Sequence, residues 1–294
     1  MRLFHRGAQR ASLPSRSGDS PAGRSRQARP RTAHVRLVAA VLLAVVGLGV
    51  IPSVASAATS IHVVVVVGPV ESTTSRYLTD GHRLAAQAKS YGARVTEIYS
   101  PNATWAKVSA ALKGADLLIY LGHGNGWPSP YGPFQDKTKD GLGLNASAGH
   151  GHYNLKYYGS YYLAKYIRMA THAVVILNHL CYSAGNSEPG RANPTKSVAT
   201  QRIDNFASGF LRTGADVVFA APRGDASYIL YDLFKTSKTM RQIFWDSSQA
   251  KHTYSFTFAS TKTKGTTAIS DPASPGKYYR SVAGYLSLRA STWR

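Results

Sequence analysis

The chain of 294 residues contains a single cysteine, Cys181, so no internal disulfide is available and stability must come from a packed core. Acidic residues are also scarce: 14 Asp and Glu face 35 Lys and Arg, a formal net charge of +21. A balance this basic suits anionic cell-wall polymers or acidic substrates. The Lys and Arg are dispersed, however, with no basic helix and no patch interleaved with aromatics, which argues against a nucleic-acid partner. Long apolar runs are nearly missing. Leu37–Ile51 covers about 15 residues, short of the ~20 a bilayer span needs, and no later segment is apolar enough. There is no internal repeat of a length that implies a solenoid.

Residues 1–36 hold nine Arg and one Asp among scattered Ser, Pro and Gly, and cannot build a core. The apolar stretch 37–51 follows, then Pro52 and the small-residue triplet Ala55-Ser56-Ala57. Basic region, short apolar core and A-x-A site form the pattern of a secretory signal peptide over residues 1–57. The expectation is therefore a secreted or extracytoplasmic protein with no transmembrane span after cleavage. What remains is 237 of the 294 residues with a net charge of +13, enough for one substantial α/β domain.

Within that remainder, Ser60–Gly68, the run from Ala115 to Gly122 and the run from Ala173 to Cys181 read as buried strands, and Asp216–Ala221 reads as the next one. Arg94–Tyr99 reads as a further strand. Between them lie helical stretches over 79–91, 103–112, 157–169, 197–212 and 227–246, the last as one helix or two. Alternation of this kind predicts an α/β fold: a three-layer sandwich around a mostly parallel central sheet, over residues 58–250. Residues 124–153 interrupt the rhythm with a long stretch of Gly, Pro, Ser and Asn, and a loop of that length is usually functional. After about residue 250, Tyr254–Phe258, Thr266–Ile269 and Tyr278–Leu288 read as antiparallel strands of a short C-terminal extension, 251–294, packed on the main domain.

Reactive groups gather at the carboxyl ends of the strands in an open parallel sheet. His123 and Cys181 each stand just after an apolar run and would project from that edge, although 58 residues separate them. A thiol is mostly protonated at neutral pH, and a nearby imidazole can take its proton and later protonate a leaving amine. The N–H groups of Gly124 and Cys181 are candidate oxyanion donors. Glu188 and Asp225, each in a loop after a strand, are candidate pocket acids; His179 and Trp127 are candidate substrate contacts, and Tyr131 could join Trp127 as a wall. The plainer readings are a buried, inert Cys181, a turn-fixing His123, and hydrogen-bonded scaffold roles for His172 and His179. His150-Gly151-His152 has metal-ligand spacing but no third ligand, so no metal site and no cofactor are expected, and nothing in the pattern supports a structural calcium.

Leu117-Leu-Ile-Tyr-Leu-Gly-His123-Gly124 and Val174-Val-Ile-Leu-Asn-His-Leu-Cys181 resemble the two hallmark blocks of the caspase, gingipain and legumain superfamily of cysteine peptidases. Cys181-Tyr-Ser183-Ala-Gly185 is similar to the Cys-x-Ser-Gly of metacaspases with one residue inserted, and Phe206–Ala215 followed by a Val-rich strand is similar to the next unit of these enzymes. The resemblance spans about residues 60–250. It implies a caspase-like sheet and a secreted cysteine endopeptidase with a His123–Cys181 dyad acting on peptide or protein substrates. Many relatives carry an acidic or amide residue just before the nucleophile. Here Asn178, His179 and Leu180 occupy that stretch, which leaves the residue preference open. Two other classes compete. One is a non-catalytic protein that binds cell-wall polymer or another ligand on the same scaffold. The other is a serine hydrolase with Ser183 as nucleophile, because Cys181-Tyr-Ser183-Ala-Gly185 is one residue away from a Gly-x-Ser-x-Gly elbow.

Overall fold

The computed structural model describes residues 60–294; the basic segment and signal peptide expected over 1–57 lie outside the described residues. The first strand, β1 (His62–Val67), is buried along its whole length, as five consecutive valines require. A 3-10 turn (Glu71–Thr73) leads into α1 (Thr74–Ser90), which starts five residues before the expected position. The turn explains the earlier start. Thr74 Oγ1 accepts from the Val70 N–H and donates to the Glu71 carbonyl, so the polar stretch 71–74 is wound into the helix entry.

β2 (Arg94–Tyr99), α2 (Trp105–Ala111) and β3 (Leu117–Leu121) follow, and the next element differs from expectation. The Gly-rich segment after His123 is not wholly irregular. It contains β4 (Leu142–Asn145), which pairs antiparallel with β5 (Leu155–Tyr158), so the first residues assigned to the 157–169 helix are strand. The helix itself, α3, is Ser160–Tyr166. The chain continues through β6 (Val174–Asn178), α4 (Lys196–Leu211), β7 (Val217–Ala221), α5 (Ser227–Lys235) and α6 (Met240–Trp245). Thr239 and Gln242 cap the start of α6 reciprocally, which divides 227–246 into two helices. The last elements are β8 (Phe256–Ala259), β9 (Thr267–Ser270), β10 (Ser281–Gly284) and α7 (Ala290–Trp293).

Eight strands form one sheet in the order β2-β1-β3-β6-β7-β10-β9-β8. The five from β2 to β7 are parallel, and β10, β9 and β8 join antiparallel. The expected extension is therefore not a unit packed on the domain. It continues the central sheet, with Val282 in register with Phe219 of β7. Alternate residues of each strand feed two cores. One face (Val64, Val66, Leu118, Tyr120) packs against α2, α3 and α4, and the other (Val63, Val65, Leu117, Ile119) against α1, α5, α6 and α7. Among the described residues no helix is long and apolar enough to cross a membrane.

Candidate active site

The sheet order places the carboxyl ends of β1, β3 and β6 side by side. Each end delivers one group with chemical potential: Glu71 four residues after β1, His123 two after β3, and Cys181 three after β6. The strand-end reading of His123 and Cys181 rests on parallel, adjacent β3 and β6, with Leu121 in register with Asn178.

The contact between the two loops is closest at Gly124. A Cβ built there would lie 1.9 Å from the Cys181 carbonyl oxygen and 3.0 Å from its nitrogen, so the His loop rests directly on the backbone of the Cys loop. The glycine is needed for this seat. Neither the Gly124 N–H nor the Cys181 N–H is spent on a protein acceptor among the described residues, which suits both to an incoming oxygen.

His123 is held from two sides. The buried Tyr120 hydroxyl accepts from the Gly143 N–H at 2.8 Å, and the carbonyls of Gly143 and His123 lie 2.8 and 3.1 Å from it as acceptors. This fastens β4 behind the histidine. On the other side, Nε2 of His123 stands 3.1 and 3.2 Å from the two carboxylate oxygens of Glu71. A carboxylate partner assigns the Nε2 proton to that contact and leaves Nδ1 as the atom able to accept a proton. Glu71 itself has a left-handed backbone (φ 43°), and its N–H donates to the carbonyl of His152 at 3.1 Å. The His152 ring pairs with Ser100 Oγ at 2.9 Å, so the Gly-rich segment buttresses Glu71.

His123, Gly124, Cys181 and Glu188 share the wall of one open cavity of about 710 Å³, together with Tyr131, Lys139 and Tyr157. Burial, reinforced by the Glu188 carboxylate, pushes the Cys181 thiol up to about 11 against a weaker opposing pull from Arg223. Burial likewise pushes the Tyr157 phenol up to about 12, with Glu188, Glu71 and Cys181 adding to it. Both groups are neutral hydrogen-bond donors at physiological pH.

Three sequence candidates lie outside this wall. Nε2 of His179 pairs with Asp80 at 3.3 Å and its ring leans on Tyr77, on the α1 side of the sheet; burial lowers its pKa. Asp225 accepts from Arg83 at 2.9 Å and from the Ser227 N–H at 3.0 Å, an ion pair with the α1 surface. Trp127 lines a separate cavity of about 550 Å³ with Phe134 and Phe258. Tyr131, by contrast, is in the main wall, and its hydroxyl donates to Glu188 at 2.6 Å. Ser183 is buried and its hydroxyl donates to the Leu180 carbonyl at 3.2 Å, away from the cavity wall. His172 pairs with Asp216 at 2.7 Å, as a scaffold group. Among the described residues no cluster of His, Cys, Asp and Glu is arranged to hold a metal ion.

Glu71 is the participant that sequence reasoning did not single out. It has no motif around it, but it is the first acidic residue after β1, and β1 neighbours the strand that carries His123. Arg202 of α4 is a second. This 6% exposed guanidinium donates to Pro128 O, Gly185 O, Asn186 O and Ser187 Oγ, and so ties the loops after β3 and β6 to one helix. No protein-family model matches the chain, and no curated protein matches it in sequence.

Proposed function

We propose that this is an exported cysteine-dependent peptide hydrolase of caspase-like type, in which Glu71, His123 and Cys181 act as a relay. The observation that carries the reading is that His123, paired with Glu71, and Cys181 come from neighbouring strand ends and line one open cavity. Because the thiol is neutral at rest, Nδ1 of His123 must take its proton as sulfur attacks the peptide carbonyl. The S–C bond forms, and the carbonyl electron pair moves to the oxygen, which the Gly124 and Cys181 N–H groups would receive. Collapse of this intermediate breaks the C–N bond, and His123 returns the proton to the departing amine. Water, deprotonated by the same nitrogen, then releases the acyl group and restores the thiol. Glu71 keeps the imidazole in the tautomer the cycle requires and stabilises its cationic form.

Purified protein lacking residues 1–57 should cleave a mixed peptide library, and Cys181→Ala should abolish that cleavage. Glu71→Gln should lower kcat by about 10-fold to 100-fold with little change in KM. Hydrolysis undiminished in Cys181→Ala would end the assignment. The raised thiol pKa favours the second reading, a ligand-binding protein with an inert cysteine, and that reading gains if no electrophile modifies Cys181 in the folded state.

A further inference from the structure

The helices α2 and α3 and the strand β5 present a surface on which aromatic rings and lysines stand side by side. Leu163 and Ile167 of the α3 segment are fully buried, so Tyr162 and Tyr166, one turn apart, are left on its outer side. Their rings stack with centroids 6.1 Å apart, and both meet the edge of Trp105, at 5.6 and 6.3 Å. Trp105 in turn stacks on Tyr158 of β5 at 4.8 Å, with the planes 13° apart. Exposed lysines accompany this row. The Lys156 ammonium is 5.5 Å from the Tyr158 centroid, and that of Lys165 is 5.2 Å from Tyr166 and 5.3 Å from Tyr161. Lys137 reaches the Tyr161 ring at 5.9 Å.

Among the described residues none of these three lysines pairs with a carboxylate, and α2, β5 and α3 contain no Asp or Glu. The nearest acid in sequence, Asp136, lines a separate cavity of about 260 Å³ with Arg212 and Lys262. Lysines that the sequence spreads out are thus gathered beside aromatics by the fold, with one sign of charge. The surface does not suit acyl chains: no Leu, Ile, Val, Met or Phe of the three elements is exposed, and Tyr166, 45% exposed, ends in a hydroxyl. Each ammonium stands within 5.2 to 5.9 Å of a ring, so a flat apolar face and a cation are offered at nearly one place. A sugar ring with a carboxylate on one of its own carbons has the matching arrangement, a C–H face to stack and a charge beside it. A nucleotide holds its phosphate a ribose away from the base, and a polyol phosphate has no ring in its backbone.

We propose that this face binds a linear polysaccharide of uronic acid units, with sugar rings against Trp105 and the tyrosines and carboxylates at Lys137, Lys156 and Lys165. None of these side chains lines the cavity of His123 and Cys181, so the binding is independent of the hydrolase reading and holds whether or not the protein cleaves peptides.

The test titrates the purified protein by calorimetry with polygalacturonate. Four further probes are its methyl ester, inorganic polyphosphate, oligodeoxythymidylate and vesicles of phosphatidylglycerol with phosphatidylcholine. Polygalacturonate should bind most tightly, and its methyl ester, which keeps the rings and loses the charge, about 10-fold or more weakly. Combining Lys137→Gln, Lys156→Gln and Lys165→Gln should weaken polygalacturonate binding by about 10-fold or more at low salt. Lys251→Gln, Lys264→Gln and Lys277→Gln together remove the same charge from exposed lysines of the C-terminal segment and should change it by less than about 2-fold. Tyr166→Ser should weaken binding by about 2-fold to 10-fold, and its exposure keeps the melting temperature near that of the parent. Equal losses in the two triple variants would reduce the effect to general charge attraction and overturn the proposal. So would tighter binding of polyphosphate, the oligonucleotide or the vesicles, equal binding of the methyl ester, or no binding of polygalacturonate. Each of those failures leaves peptide cleavage by Cys181 untouched.

Discussion

Replacing Gly124 by alanine probes the contact on which the proposed catalytic arrangement depends. The added methyl would begin 1.9 Å from the Cys181 carbonyl oxygen and 2.9 Å from its carbonyl carbon. Backbone atoms cannot swing aside as a flexible side chain can, so the two loops must separate by about 1 Å before the contact becomes tolerable, a displacement that costs on the order of 100-fold in rate when it separates reacting groups. Gly124→Ala should therefore cut kcat/KM by about 100-fold. The loss should fall on kcat, because the cavity's outer wall, Tyr131 and Glu188, is untouched. The melting temperature should fall far less than for a core truncation, because the displaced segments are loops between intact strands. The assay is steady-state cleavage of the best peptide, with circular dichroism melting alongside. Wild-type kcat in Gly124→Ala would mean that the loop-to-loop seat does not position the chemistry, and the relay would lose its geometric basis.

Arg202→Met should leave the carbonyls of Pro128, Gly185 and Asn186 without their donor and lower stability by about 2–4 kcal/mol, a melting shift of about 5–10 °C. A shift under 1 °C in calorimetry would refute that role. Asp140, buried beside Lys139 and accepting from the Trp127 N–H at 3.0 Å, has its pKa raised to about 7, chiefly by burial. Between pH 4 and 7 the unfolded chain ionises this group while the folded one does not, so stability falls as pH rises across that window, by at most about 4 kcal/mol. Asp140→Asn should then stabilise the protein at pH 8 but not at pH 4, and an equal change at both would contradict the assignment. Alkylation of Cys181 by iodoacetamide should accelerate about 10-fold per pH unit from 7 to 10, given a thiol near 11; a rate flat across that range would reveal a preformed thiolate.

The strands that position the site were legible because their burial leaves little room for polar residues. β1, β3, β6 and β7 are buried end to end and appear as apolar runs, with a polar residue only at one end of β1 (His62) and of β6 (Asn178). The placement of His123 and Cys181 after two of them followed from the same fact. Glu71 was not legible, since its role depends on a left-handed turn and on which strand lies beside β3, and neither leaves a periodic trace. Asp225 and His179 were plausible by position, but Arg83, Asp80 and Tyr77 of α1 claim them, a tertiary pairing that no local pattern encodes. The β4–β5 hairpin hid in a glycine-rich stretch because Gly143 sits closely against Leu155, Tyr157 and His123, where a Cβ would stand only 3.1–3.2 Å from its neighbours.

The antiparallel strand β10 lies against β7, and the indole of Trp293 donates to the carbonyl of Asp116 at the threshold of β3. The residues flanking the site and those that close the sheet beside them are thus far apart in the chain, and pairings of such separation form late. Until β10 arrives, β7 presents an all-apolar edge, Val217–Ala221, with its backbone groups open to any other strand. A chain made amino end first passes through that condition until residues 281–284 follow. Removal of residues 251–294 would make the condition permanent, turning a globular protein into one prone to strand-by-strand association while leaving every member of the relay in its sequence.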